Sequence, residues 1–172
     1  MQQAIEQLRI FFAEHPAWVK AAKSIVDGAN SEVVFDGEAA PWRLMRVDGV
    51  SVLEPGVAPS PDFTFYFTGS AIASLTQTDQ KATISDFALV LFNRIISDDP
   101  RERIGFHVRA PFGQLVKRGY LRVLLRGGPA VLRFMSEHGI RSWRDFNSLV
   151  TAVRGDSTFD WARLGREGWH GH

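Results

Sequence analysis

Two hydrophobic periods succeed one another in the first 70 residues of the chain. Apolar residues spaced three and four apart predict two short helices, over 2–14 and 17–27, separated by a proline. The period then changes to two, which predicts four strands within 31–68. Asp48-Gly49 is typical of a two-residue hairpin turn. We therefore expect these strands to form an antiparallel meander.

The clearest alternation lies in the last of these strands. Phe63, Phe65 and Phe67 share one face, whereas two threonines and a tyrosine occupy the other. This pattern is typical of a half-buried strand, here with an inner face made of phenyl rings.

Helices dominate the rest of the chain. A segment at 84–97 is apolar nearly all round, so we expect a helix that is buried on most sides. Residues 104–109 alternate again and predict a fifth strand. Pro111 then begins a helix that we expect to reach about Arg126, followed by two more helices and, from Gly155, an irregular tail.

This order of elements predicts an α+β fold with a five-stranded, mainly antiparallel sheet and helices covering one face. We expect one globular domain with three segments. They are N-terminal helices at 1–30, an α+β core at 31–126 and a helical C-terminal extension at 127–172.

Composition narrows the chemistry. The chain has 13 Phe but only 2 Tyr, and it has no Cys. The absence of Cys excludes a disulfide scaffold, a thiol nucleophile and a Cys-ligated metal. The excess of Phe suits a dry interior, which is either a filled core or the wall of a cavity for an apolar ligand. Both interpretations remain open at this point.

Charge is distributed unevenly along the chain. Residues 1–99 hold 7 basic and 13 acidic residues (net −6), and residues 100–172 hold 13 basic and 6 acidic residues (net +7). Within the predicted helix from Pro111, a basic surface comprises Lys117, Arg118, Arg122 and Arg126. Such a surface predicts peripheral contact with an anionic membrane or a partner protein, or is simply solvated. Because no base-reading motif is present, we expect no nucleic-acid partner.

Catalytic motifs are missing. The sequence has neither a Gly-x-Ser-x-Gly elbow nor a glycine-rich phosphate loop. His107 is a remote candidate for acid–base chemistry, but no partner for it is evident. We therefore expect no catalytic residue, no cofactor and no metal. With no secretory signal and no apolar run of about 18 residues, we expect a cytoplasmic location.

Several segments in order carry a family resemblance. They are Val33-Val34-Phe35-Asp36, Trp42-Arg43-Leu44, Asp48-Gly49-Val50, Pro61-Asp62-Phe63-Thr64, Gly69 to Leu75 and His107 to Leu115. Over about residues 30–120, this order resembles the sterol carrier protein type-two family, with Ala110 where the family often has glycine. The resemblance implies an α+β fold around an apolar tunnel for sterols, fatty acyl chains or related lipids. Bacterial relatives include ubiquinone-biosynthesis accessory factors, and the resemblance does not imply catalysis.

Two functions are consistent with these observations. The first is non-catalytic binding, transfer or presentation of a sterol, fatty-acyl or quinone-like lipid. The apolar pocket would be formed by Phe63, Phe65, Phe67, Phe87, Leu91, Phe106 and Phe112. The alternative is an accessory or scaffold protein that holds no ligand and docks on a membrane or an enzyme through its basic C-terminal half.

Overall fold

The computed structural model describes residues 1–171 of the chain. His172, at the end of the predicted extension, lies outside the described residues. The elements are α1 (Gln2–Glu14), α2 (Pro16–Ala22), β1 (Asn30–Phe35), β2 (Trp42–Val47), β3 (Val50–Pro55), β4 (Phe63–Phe67), α3 (Gly69–Thr76), α4 (Ile84–Ile95), β5 (Gly105–Val108), α5 (Phe112–Lys117), α6 (Tyr120–Arg126), α7 (Gly128–Glu137), α8 (Trp143–Val153) and α9 (Trp161–Glu167).

The five strands form one sheet in the order β3-β2-β1-β4-β5. All neighbours pair antiparallel except β1 and β4, which run parallel. The predicted α+β class and the five-stranded, mainly antiparallel sheet are therefore confirmed. The predicted four-strand meander is wrong, because β4 crosses over to lie between β1 and β5. In this position the phenyl face of β4 is flanked by apolar residues of both neighbours, since Phe65 lies beside Val33 of β1 and Phe106 of β5.

The two faces of the sheet differ in chemistry. Register places Val33 beside Phe65 and Phe35 beside Phe67, so that these side chains share the face on which the helices pack. The opposite face carries polar side chains such as Glu32 and Arg43. The prediction that helices cover one face is thus confirmed.

Helix α1 packs against one part of the covered face of the sheet. Its residues Ile5, Leu8, Phe11 and Phe12 are buried and belong to the same apolar cluster as Val33 and Phe35. Helix α4 begins at a capping box, in which the Thr83 hydroxyl accepts from the Asp86 amide and the Asp86 carboxylate accepts from the Thr83 amide. The ends of both helices lie close to those that the sequence predicts, at 2–14 for α1 and 84–97 for α4.

The prediction of one helix from Pro111 to Arg126 is wrong, because this segment forms two helices, α5 and α6, that are separated by residues 118 and 119. Gly119 lies between them in the left-handed region, at φ 89°. A Cβ atom at this position would lie 1.8 Å from the carbonyl oxygen of Ser24. The Val26 amide also donates to the Arg118 carbonyl at 3.1 Å. The break thus lets the chain approach the loop after α2 more closely than an uninterrupted helix of larger residues could.

The tail predicted to be irregular contains the short helix α9. The indole N–H of Trp161 in this helix donates to the Phe106 carbonyl of β5 at 2.6 Å. Ala162 and Leu164 of the same helix are buried. In residues 1–171, none of the helices combines the length and the apolar character needed to cross a bilayer.

A fully buried carboxylate, Asp62, connects the elements around the start of β4. Its side chain accepts from Gln114 Nε2 at 2.8 Å, Arg118 Nη1 at 2.7 Å and the Tyr120 hydroxyl at 2.9 Å. Its backbone carbonyl accepts from the amides of residues 109 and 110, and its amide donates to the Asn30 carbonyl. Burial raises the pKa of Tyr120, and the nearby Asp62 charge raises it further, so the phenol stays protonated as a donor.

The Asp62 cluster generates a stability prediction. Replacing Asp62 by Ala leaves the half-buried Arg118 cation without its partner, which is expected to lower the free energy of unfolding by about 3–5 kcal/mol in urea denaturation. As a control, Asp98→Ala removes the exposed ion pair with Arg166 and should cost less than about 1 kcal/mol. Equal losses in the two variants would contradict the role assigned to Asp62.

Candidate functional site

A cavity of about 250 Å³ lies between the covered face of the sheet and the helices. Its floor is formed by inner-face residues of the strands, and its walls come from α2, α4, α6, α7 and α8, with α9 at one side. Its volume exceeds the roughly 150 Å³ of an apolar cavity that binds benzene and is slightly below the roughly 300–1,000 Å³ of pockets for drug-sized molecules. The space is therefore large enough for a small organic ligand.

The floor of this cavity is aromatic. The ring centroid of Phe106 lies 5.1 Å from that of Phe63, 5.2 Å from that of Phe65 and 5.2 Å from that of Trp161. The antiparallel pairing of β4 with β5 sets these distances, because it places Phe65 directly opposite Phe106. Such ring contacts stabilise a rigid apolar surface beyond the effect of burial alone.

Six of the seven predicted pocket residues line the cavity. They are Phe63, Phe65, Phe67, Phe87, Leu91 and Phe106. The seventh, Phe112, does not line it. As the first residue of α5, Phe112 packs edge-to-face on Phe146 of α8, at 5.9 Å between ring centroids, and borders a separate pocket of about 260 Å³.

Other lining residues were missed at the sequence level. Trp18, Ile25 and Leu44 come from the N-terminal third, and Trp161 comes from the segment predicted to be irregular. These residues are recognisably hydrophobic in the sequence. The periodicity within a segment, however, does not show which distant segment its apolar residues contact. Only the tertiary arrangement brings them to the same space.

One part of the cavity wall is polar. Ser31, Arg46, Ser51 and Tyr120 all lie along it. The Ser51 hydroxyl accepts from the Trp18 indole at 3.0 Å and from Arg46 Nη1 at 3.1 Å. Burial lowers the pKa of Arg46, and the Asp27 charge acts in the opposite direction. An arginine stays charged under such conditions, so this part of the wall carries a positive charge.

The predicted basic surface is divided by the break at Gly119. Arg118 turns inward to Asp62, with its side chain only 25% exposed. Lys117, Arg122 and Arg126 are exposed, and Arg126 donates to the Lys20 carbonyl at 2.9 Å. Arg118 therefore does not belong to the exposed basic surface that the sequence predicts for these four residues.

Helices α6 and α7 have two different sides. Their inner residues Leu124 and Met135 line the cavity. Their outer residues include the exposed leucines Leu125 and Leu132, 50% and 45% exposed, and the exposed Arg133. The same pair of helices thus separates the cavity from a surface that mixes apolar and basic side chains.

His107 faces away from the cavity, on the polar side of β5. Its ring lies 4.9 Å from that of Tyr66, between centroids. Burial lowers the pKa of His107 and the Arg109 charge adds to this, while a hydrogen bond with the Ser157 backbone and the Asp156 and Glu32 charges oppose it. In the described part of the chain, no three His, Asp or Glu side chains come together as a potential metal site.

Comparisons with known proteins find similarity among solved structures. No family model and no curated protein matches the sequence. A solved structure described as "UbiJ-SCP2 Ubiquinone synthesis protein" is similar over 73% of this chain and 88% of its own, at 16% sequence identity and a TM-score of 0.39.

The surroundings of His107 generate a pH prediction. With its pKa below the ordinary value of about 6.5, His107 binds a proton less readily when folded than when unfolded. The stability that this group contributes is therefore present at neutral pH and is lost as pH falls below about 6.5, towards the folded-state pKa. Titration of the His107 ring by NMR should give a pKa below 6.5, and a value at or above 6.5 would contradict the assigned environment.

Proposed function

We propose that the protein binds a hydrophobic small molecule in this cavity and carries or presents it without changing it chemically. The observation that carries the proposal is the cavity of about 250 Å³ with its floor of phenyl rings from β4 and β5. The ligand classes that fit an apolar wall are a fatty acyl chain, a quinone-like lipid or a sterol. The volume favours a slender chain or a single ring system over a bulky one.

Energetics support an occupied cavity. A ligand in an apolar site gains about 0.8 kcal/mol for each CH₂ group it buries. A chain of ten such groups gains roughly 8 kcal/mol before ordering costs.

The chemistry of the wall supports presentation over catalysis. Among the described residues that line the cavity, none is an Asp or a Glu. Tyr120 is held as a donor to Asp62, and the ring of His138 contacts the Phe134 carbonyl at 2.7 Å. Neither is paired with a carboxylate that faces the cavity, which an acid–base mechanism would ordinarily use.

A cavity-filling variant tests the proposal. The wild-type protein is expected to bind the neutral apolar fluorophore N-phenyl-1-naphthylamine, with increased emission. Leu91→Trp places a larger side chain in the cavity and should weaken this binding about tenfold or more, since small-to-large changes fill or strain an enclosed site. The matched control is Val57→Trp, at a loop position that is 68% exposed.

The result can contradict the proposal in two ways. Binding that is absent in the wild-type protein would contradict an accessible apolar cavity. Binding that Leu91→Trp and Val57→Trp leave equally strong would place the fluorophore on the surface.

A second function, peripheral docking on an anionic membrane, is favoured by the outer surface of α6 and α7. Exposed Leu125 and Leu132 lie among the exposed cations Arg122 and Arg133. Interfacial helices combine these two features, with apolar side chains entering the headgroup region and arginines attracting anionic lipids. Because the same helices line the cavity, docking there would bring the ligand site close to the bilayer.

Charge reversal tests the docking surface. The double variant Arg122→Glu and Arg133→Glu should abolish sedimentation with vesicles that contain phosphatidylserine, since each cation near such a surface contributes about 1 kcal/mol. The control variant Arg144→Glu and Arg154→Glu changes the net charge equally at other exposed positions. Equal loss in both variants would indicate an effect of net charge, and no loss in either would contradict docking through α6 and α7.

A further inference from the structure

Arg46 is a buried cation that faces the cavity. It lies on β2, its residue is only 8% exposed, and it lines the cavity wall opposite Ser51 of β3. Its backbone is fixed on both sides, since its amide donates to the Ala29 carbonyl and its carbonyl accepts from the Gly28 amide, each at 2.9 Å. The segment just before β1 therefore fixes the backbone of Arg46, and the Ser51 hydroxyl accepts from its guanidinium.

The hydrogen-bonding capacity of Arg46 is largely unused. Its Nη1 atom donates to the Ser51 hydroxyl at 3.1 Å, and its Nε atom is buried with no partner among residues 1–171. The ion pairs within 4.0 Å in that part of the chain do not include Arg46. A buried donor without an acceptor is costly, and a buried charge is costly unless it is paired.

Two other arginines near the sheet show the contrast. Arg43, three residues earlier on β2, pairs with Glu54 at 2.6 Å, and Arg118 pairs with the buried Asp62 at 2.7 Å. Arg46 is only 8% exposed, whereas the side chains of Arg43 and Arg118 are 32% and 25% exposed. Its side chain nevertheless has only the Ser51 hydroxyl as a hydrogen-bond partner in residues 1–171, and Asp27 acts on it through its charge without forming an ion pair within 4.0 Å. The difference points to an acceptor that the chain itself does not provide.

We propose that Arg46 anchors the anionic head group of an amphiphile, a carboxylate, whose apolar part lies against the phenyl floor of the cavity. This inference rests on the proposed function and specifies which ligands the cavity selects. A guanidinium presents parallel N–H groups that match the two oxygens of a carboxylate. Ser31 and Tyr120 on the same wall make the surroundings of the head group polar.

Charge balance favours a carboxylate over a phosphate monoester. One guanidinium neutralises a single negative charge, and in the described cavity wall Arg46 is the one side chain that always carries a positive charge. A phosphate monoester carries about −1.5 to −2 at neutral pH and would leave charge uncompensated in an apolar cavity.

The test compares a fatty acid with its uncharged ester. The probes are cis-parinaric acid and its methyl ester, which share one fluorescent chain and differ in the charge of the head group. The wild-type protein should bind the acid more tightly than the ester. Arg46→Met should weaken binding of the acid about 10- to 100-fold, the range expected for charge-assisted hydrogen bonds, and leave binding of the ester unchanged. The matched control Arg43→Met, on the other face of β2, should change neither affinity.

Each outcome decides one of the two ideas. If the wild-type protein binds acid and ester equally and Arg46→Met changes neither, the head-group assignment is overturned while the proposed function stands. If neither probe binds the wild-type protein, both are overturned. Competition in which dodecyl phosphate displaces the probe more strongly than dodecanoate would overturn the carboxylate assignment. Should Arg46→Met fail to fold, the acid-to-ester ratio of the wild-type protein and Arg46→Lys, which keeps the charge but not the paired geometry, still decide the question.

Discussion

The buried Asp62 carboxylate is the interaction on which the arrangement of sheet and helices depends. It lies immediately before β4, and its carboxylate accepts hydrogen bonds from one side chain of α5, one of α6 and Arg118 between these helices. Its backbone bonds to Asn30 and to the residues that follow β5. A carboxylate buried this deeply is tolerable because charge-assisted hydrogen bonds surround it. One of those donors, Tyr120, is also part of the cavity wall, so the same cluster that orients the helices sets one limit of the cavity.

The cavity follows from how the helices are held away from the phenyl face of the sheet. Gly119 lets the chain turn between α5 and α6, and α6 and α7 then extend along the cavity rather than filling it. The rings of Phe63, Phe65 and Phe106 contact one another along the floor, which makes this side rigid. An apolar space with a rigid floor, one polar region around Arg46 and helices towards the surface has the properties of a ligand site.

Periodicity predicted the parts of this structure that are local. The phenyl face of β4, the apolar helix α4 and the fifth strand all follow from spacing within one segment, and three of the six correctly predicted pocket residues lie on that face. The parallel pairing of β4 with β1 was not predictable, because the choice of neighbour for a strand depends on how the whole sheet packs against the helices. The break at Gly119 depends on contact with Ser24, and the role of Arg46 depends on its having no ion-pair partner in residues 1–171. None of these leaves a pattern in the sequence.

The central claim is that the cavity between the phenyl floor and the helices holds a hydrophobic molecule. Native mass spectrometry of the protein purified from cells, followed by solvent extraction of what it carries, tests this most directly. The account predicts a population heavier than the 19.3 kDa chain by the mass of one small apolar molecule, which appears in the extract and is lost in Leu91→Trp. A single mass equal to that of the chain, unchanged after incubation with fatty acids, quinones or sterols, would contradict it.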